Sequence, residues 1–164
     1  QRDINYIIEA HRDCARKASK GYRKWDGKTP YHTHPIWCAT MLATETSLPA
    51  EIRLEGIQAL IYHDILEDTT RPLPDWLSSR VAQLIEQMTF HGGSSQEMQE
   101  IWSKPGEVRL YKLYDKVSNL LDGSWMDEKK RGAYESYTRR LIEEVERSYG
   151  ILNITRIGRA IVKQ

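Results

Sequence analysis

Between residues 50 and 67 a helical repeat carries acids on its oily side. At about 100° per residue, Leu54, Ile57, Leu60, Ile61 and Ile65 share one face. Asp64 and Asp68, one turn apart, fall within the same arc and point toward a core. A buried carboxylate without a partner is costly unless it meets a cation or takes up a proton. Two on one stripe demand a bound positive charge. His63 and Glu67, also one turn apart, occupy the adjoining flank, so four polar groups address one region.

The segment from Glu107 to Leu121 repeats the anomaly. Leu110, Leu113, Tyr114, Val117 and Leu121 form an apolar face, yet Val108 and Tyr111 lie opposite, so the helix is expected to be covered nearly all round. Asp115 and Asn119 share that second side at i, i+4 spacing. Taken singly, Asp115 reads as a surface acid paired with Lys112 or Lys116, and His34 as an extended residue before Pro35. Taken together, His34, His63, Asp64 and Asp115 make a set of two imidazoles and two carboxylates. Such a set suits manganese, iron, zinc or cobalt better than calcium. Four protein ligands on a six-coordinate ion leave room for water and a phosphoryl oxygen, the arrangement of metal-assisted hydrolysis. Glu67 and Asp68, just beyond, are placed to orient or deprotonate the water.

Helical spacing recurs through the rest of the chain and strand patterns are nearly absent, so the expected class is all-α, with residues 1–164 as one domain. The first helix is expected from about Asp3 to Lys20, with Ile7, Ile8, His11, Ala15 and Ala18 along one side. A loop through Gly21 and Asp26 to Pro30 follows, and then helices from Pro35 to Thr46 and from Ala50 to Glu67. After Arg71 to Pro74 a fourth carries Trp76, Val81, Leu84, Ile85 and Met88. His91 to Ser95 reads as flexible, and Ser94 with Glu97 has capping-box spacing for a short helix. Helices near 107–121, 129–147 and from Ile151 complete the pattern.

The formal net charge of +1 argues against a dedicated nucleic-acid binder. No apolar run approaches the roughly 20 residues of a membrane span. Cys14 and Cys38 read as reduced, packed thiols of a cytoplasmic protein, and no signal peptide is visible from Gln1 onward. Basic charge concentrates before His34, in Arg12, Arg16, Lys17, Lys20, Arg23, Lys24 and Lys28, against Asp13 and Asp26. That local excess suits an anionic small molecule, with the loop residues Arg23 and Lys24 favoured over the helix face. His11 and His91 are given no role. Among five tryptophans, Trp25 is the candidate for nucleotide stacking, the others reading as core and rim. Oligomeric state is left open.

Three segments carry a family resemblance: Tyr31-His32-Thr33-His34-Pro35, Tyr62 to Thr69 (YHDILEDT) and Lys112 to Asn119 (KLYDKVSN). In this order and separation they resemble the hydrolase domain of RelA/SpoT-type alarmone enzymes of the stringent response. Small stand-alone hydrolases, including metazoan ones, are the nearest parallel. The resemblance covers about Ala15 to Leu121 and implies a compact HD-type helical bundle. It implies His34, His63, Asp64 and Asp115 as manganese ligands, other divalent transition metals being compatible, and Glu67 and Asp68 as the catalytic pair. It places Arg23 against the nucleotide and Asn119 near the ribose and phosphates, with Lys24, Lys112 and Lys116 added as phosphate-binding candidates. The implied reaction removes the 3′-pyrophosphate of guanosine tetra- or pentaphosphate, yielding GDP or GTP and pyrophosphate.

Ser19, Tyr22, His32 and Tyr114 depart from the family pattern, as does the short segment from Met88 to Lys104. These departures are expected around the substrate rather than the metal. The alternatives are the same machinery on another nucleotide or dinucleotide phosphate, or a nucleotide- or metal-binding regulatory domain without turnover. Glu67 and Asp68 disfavour the regulatory reading, since binding alone requires neither.

Overall fold

The computed structural model describes residues 1–162. Its elements are α1 (Arg2–Asp13), a 3₁₀ turn at Ala18–Gly21, α2 (Thr33–Ala43), α3 (Ala50–Tyr62), α4 (Ile65–Asp68) and α5 (Ser79–Met88). Then come α6 (Gly93–Glu100), a 3₁₀ turn at Ile101–Ser103, α7 (Gly106–Leu121), α8 (Glu128–Tyr149) and α9 (Asn153–Ile161). No strand is present among the described residues. Only isolated bridges join Ala15 to Thr69 and Tyr22 to Pro30.

The organising element is α7. It packs against α2, α3, α5, α8 and α9, and nearly every residue from Val108 to Leu120 is buried, on all sides of the helix. Its two faces of apolar residues explain why: Leu110, Leu113, Tyr114 and Val117 fill one side, Val108 and Tyr111 another. Leu121, expected with them, lies at the C-terminal end and is half exposed. A helix so enclosed can carry polar side chains inward only where partners meet them, and Lys112, Asp115, Lys116 and Ser118 all lie inside.

Several boundaries differ from the sequence expectation, each for a local reason. The first helix stops at Asp13 rather than Lys20. The chain beyond it is captured by the end of α4, the Arg16 amide donating to the Asp68 carbonyl at 2.8 Å and the Thr70 amide to the Cys14 carbonyl at 2.9 Å. The single helix expected over 50–67 is broken at His63 and Asp64. Leu54, expected in its core stripe, is 65% exposed. Trp76 precedes α5, whose first turn is capped by Ser78. The Ser94–Glu97 capping box does not form. α6 starts at Gly93, whose φ of 76° needs a glycine, and Gln96 Oε1 accepts the preceding Gly92 amide at 2.7 Å. The last helix begins at Asn153, two residues after the exposed Ile151.

One contact sets the distance between α3 and α7. A methyl group on Gly56 would run into the Tyr111 ring and into Leu42 Cδ2, so the glycine lets the helices close. Gly56→Ala gains about 1 kcal/mol of helix propensity but overpacks a dense core at about 1–3 kcal/mol. The expected result in urea unfolding is a lower midpoint at unchanged slope. A midpoint equal to or above that of the parent would mean the helices do not depend on this close approach.

Candidate metal centre and substrate cleft

The break between α3 and α4 makes the centre. Consecutive residues of a straight helix point about 100° apart, whereas the kink turns His63 and Asp64 toward one point, with His63 Nε2 3.0 Å from Asp64 Oδ2. α2 brings His34 from its first turn, and α7 brings Asp115. One nitrogen from each imidazole and one Asp115 oxygen lie within 4.8 Å of one another. Asp64 stands beside this trio, its Oδ2 3.5 Å from His34 Nε2. All four residues are buried.

Each ring is aimed by its other nitrogen. His63 Nδ1 donates to the Leu60 carbonyl at 2.7 Å, and His34 Nδ1 is hydrogen bonded to Ser118 Oγ at 2.8 Å. Both Nε2 atoms therefore face the carboxylates. His34 Nε2 meets Asp115 Oδ1 at 3.0 Å. His63 Nε2 has no aligned hydrogen-bond partner, although Asp64 and Asp115 oxygens stand 3.0 and 3.5 Å away. A buried, unpartnered ring nitrogen among carboxylate oxygens fits a divalent cation, as does the mixed nitrogen and oxygen set itself. Burial alone would lower the His63 pKa, yet the charge of Asp64, aided by Asp115, overrides it and lifts the ring to about 10. Burial pushes Asp64 up, and the His63 charge overcomes it and holds the carboxyl far below its usual range. The site is thus built for positive charge.

Around it lies a cleft of about 280 Å³, near the lower end of small-molecule sites. Lys20, Arg23, Lys24, Lys112, Lys116 and Lys130 line it against Asp64, Glu67, Asp68, Glu97 and Asp115. Basic and acidic groups nearly balance, so a divalent ion would turn the cleft clearly positive. Tyr31 donates to Asp64 Oδ2 at 2.6 Å. Lys20 Nζ reaches Asp68 Oδ1 at 2.8 Å, across the loop that the α4 terminus captures. Glu67 Oε1 accepts the Phe90 amide.

The sequence candidates for substrate binding all line this cleft, in differing circumstances. Arg23 is buried and paired bidentately with Asp122 at 2.8 and 2.9 Å, and it donates to Asn119 Oδ1 at 2.8 Å. Asn119 in turn donates to Asp115 Oδ1 at 3.0 Å. Lys24 Nζ lies 4.3 Å from the centre of the Trp125 ring, and Lys130 Nζ lies 4.6 Å from it. Lys112 and Lys116 are buried, each bridging Asp115 and Glu97. Trp25 is half exposed and does not line the cleft; Trp125 does. Sequence reasoning gave no site role to Tyr31, Glu97, Lys130 or Tyr134, all of which line it, as does Lys20. Only the density of basic residues before His34 pointed to Lys20. Of the departures from the family pattern, Ser19 and Tyr22 line the cleft, whereas Tyr114 donates to the buried Glu45 at 2.9 Å, away from it. His11 is buried, against the Tyr31 ring at 4.8 Å between centres, and His91 is exposed. Neither cysteine forms a disulfide. No helix among the described residues is long and apolar enough to cross a membrane.

No protein-family model matches the chain. A Homo sapiens protein named guanosine-3′,5′-bis(diphosphate) 3′-pyrophosphohydrolase MESH1 is 33% identical over 126 residues, which cover 71% of this chain and 68% of that protein. The protein of the same name from Mus musculus is 32% identical over the same shares. That from Xenopus tropicalis is 29% identical over 129 residues, 73% of this chain and 70% of its own. A solved structure described as a metazoan orthologue of SpoT that hydrolyses ppGpp and plays a role in starvation responses has a TM-score of 0.75 at 20% identity. The match covers 98% of this chain and 91% of that one. This likeness shows a shared all-helical HD-type fold.

Burial raises the Glu67 pKa to about 7; Lys112 opposes the rise and Asp64 adds to it. Between the ordinary glutamate pKa and about 7, the folded protein therefore holds a proton that the unfolded chain releases. Stability contributed by this group is complete at low pH and is lost as pH rises through 7. Glu67→Gln keeps an acceptor for the Phe90 amide and removes the titration. In metal-stripped protein the variant is expected to match the parent near pH 5 and to exceed it by about 1–3 kcal/mol at pH 8. Denaturant unfolding at both pH values reads this out, and a stability difference independent of pH would refute it.

Proposed function

This chain belongs to the family of guanosine-3′,5′-bis(diphosphate) 3′-pyrophosphohydrolases that MESH1 represents, and from that membership we propose that it hydrolyses the 3′-pyrophosphate of guanosine tetra- and pentaphosphate. The products are GDP or GTP and pyrophosphate. The observation that carries this reading is the convergence of His34, His63 and Asp115, with Asp64 beside them, at the wall of a cleft that also holds Glu67 and Asp68.

In this reading His34, His63, Asp64 and Asp115 hold the metal, manganese by the family resemblance, the donor set itself suiting iron, zinc or cobalt as well. When bound, the ion supplies Lewis acidity to a phosphoryl oxygen and acidifies water. Glu67 accepts the proton of the attacking water as its oxygen bonds to the phosphorus nearest the ribose. The bond from that phosphorus to the 3′-oxygen breaks, and Asp68 delivers a proton to the departing oxygen. Lys20 holds Asp68 in place at 2.8 Å.

The basic residues take the phosphates. Lys24 stands over Trp125 at the side of the cleft, where its ammonium group can meet an anion. Lys112 and Lys116, ion-paired with Glu97 and Asp115 at the cleft wall, add positive charge that favours a phosphate group beside them. Arg23 and Asn119 are joined to each other at 2.8 Å and present a fixed edge to the nucleotide.

The test is a screen of phosphorylated nucleotides with added manganese, reading pyrophosphate and orthophosphate separately. Pyrophosphate from guanosine tetraphosphate is the expected signal. Orthophosphate from a different nucleotide, with no pyrophosphate from this one, would reassign the substrate. Asp64→Ala is expected to lose metal and activity together. Glu67→Ala should keep its metal and lose about 10²–10⁴-fold in kcat. Turnover by Glu67→Ala at the parent rate would remove Glu67 from the chemistry.

A further inference from the structure

Helix α6 is attached to the fold in an unusual way. Of its eight residues, Glu97 is the one that is buried, so its fully enclosed contact is an acid rather than an apolar side chain. Glu97 Oε1 lies 3.0 Å from both Lys112 Nζ and Lys116 Nζ. Its Oε2 accepts a hydrogen bond from Tyr137 at 2.7 Å. The same ammonium groups stand 3.2 and 3.1 Å from Asp115 Oδ2. Two buried cations and two buried carboxylates thus form a closed, neutral knot.

Asp115 divides its oxygens between this knot and the metal centre. Oδ2 takes the lysines, while Oδ1 faces His34 Nε2 at 3.0 Å and His63 Nε2 at 3.5 Å. We infer that Glu97 is a positioning residue of the metal centre, acting through Lys112 and Lys116 on Asp115. The lysines fix the carboxylate's rotation, and Glu97 cancels the charge they would otherwise set against a cation. Without Glu97, two buried ammonium groups share one carboxylate. The surplus positive charge then lies beside the cation site in a poorly screened interior, where repulsion is strong. The lysines also compete with the ion for the charge of Asp115.

This inference rests on the metal-centre reading above, so the experiment separates the two. Mn²⁺ binding is measured by calorimetry on metal-stripped protein: the parent, E97Q, and the charge-balanced double variant E97Q/K116M. The expected result is a loss of about 10–100-fold in Mn²⁺ affinity for E97Q, the range for groups that orient a metal ligand. The double variant, whose knot is neutral again, is expected to recover most of that loss. A merely structural role for Glu97 would make the double variant no better than the single one, and that outcome overturns the inference. So does parent-like affinity in E97Q. If E97Q fails to fold by circular dichroism, the double variant decides alone: binding within a few-fold of the parent supports the inference, and a loss of tenfold or more overturns it. A parent protein that binds no Mn²⁺ would instead bring down the metal centre itself, and Glu97's role with it.

Discussion

The Asp115 carboxylate is the point on which the rest of the arrangement depends. It sits on the most enclosed helix of the fold, with its side chain 5% exposed, and so it cannot be satisfied by solvent. Its two oxygens are met by His34 from α2, His63 from the α3–α4 break, and Lys112, Lys116 and Asn119 from its own helix. An ionised group in that position is tolerable only with such a shell. Burial pushes its pKa up, and the lysine charges, Lys116 foremost, override it and hold the group ionised. The end of α3 and the start of α2 are thus held on α7 by electrostatics as well as by shape.

The kink at His63 follows from the same need. A continuous helix over residues 50–67 would point His63 and Asp64 about 100° apart, whereas here His63 faces Asp115 at 3.5 Å and Asp64 faces His34 at 3.5 Å. Ending α3 at Tyr62 and restarting at Ile65 turns both inward. The Leu60 carbonyl, near the helix end, accepts the His63 amide at 3.5 Å and His63 Nδ1 at 2.7 Å. The break also exposes the α4 terminus, onto which residues 14–16 dock through backbone bonds. That docking is what carries Lys20 to Asp68. One local departure from helical geometry therefore sets two walls of the cleft.

The sequence made the acids of the centre legible because they interrupt apolar stripes: Asp64, Asp68 and Asp115 are out of place on oily faces, and all three are buried. The basic loop before His34 was legible as a charge imbalance. What was not legible is whatever depends on a partner far along the chain. Glu45 and Glu97 are both buried acids, and neither interrupts an apolar repeat. Glu45 accepts the Tyr114 hydroxyl and the amides of Asn153 and Ile154 at the start of α9, a structural task. Glu97 looked like half of a capping box because Ser94 precedes it by three residues. The lysines of α7 outweigh a local amide as its partners, since a buried charge gains more from two cations than from a helix end. Trp25 was favoured for its neighbours in sequence, yet the turn between Tyr22 and Pro30 leaves it half exposed, while Trp125, a hundred residues later, meets Lys24.

A centre of this kind opposes stability to chemistry. Asp64 and Asp115 raise the proton affinity of His63, so without a metal a proton fills the role of the cation and keeps the cluster near neutral. A metal ion must displace that proton, and its apparent affinity therefore falls as pH drops. Lys112 and Lys116, already 3.2 and 3.1 Å from Asp115 Oδ2, compete for the same negative charge. Glu97 draws them the other way, toward α6 and Tyr137. The positive charge that enters the cleft is then drawn to the face shared by the two imidazoles, beside Glu67 and Asp68, where hydrolysis needs it.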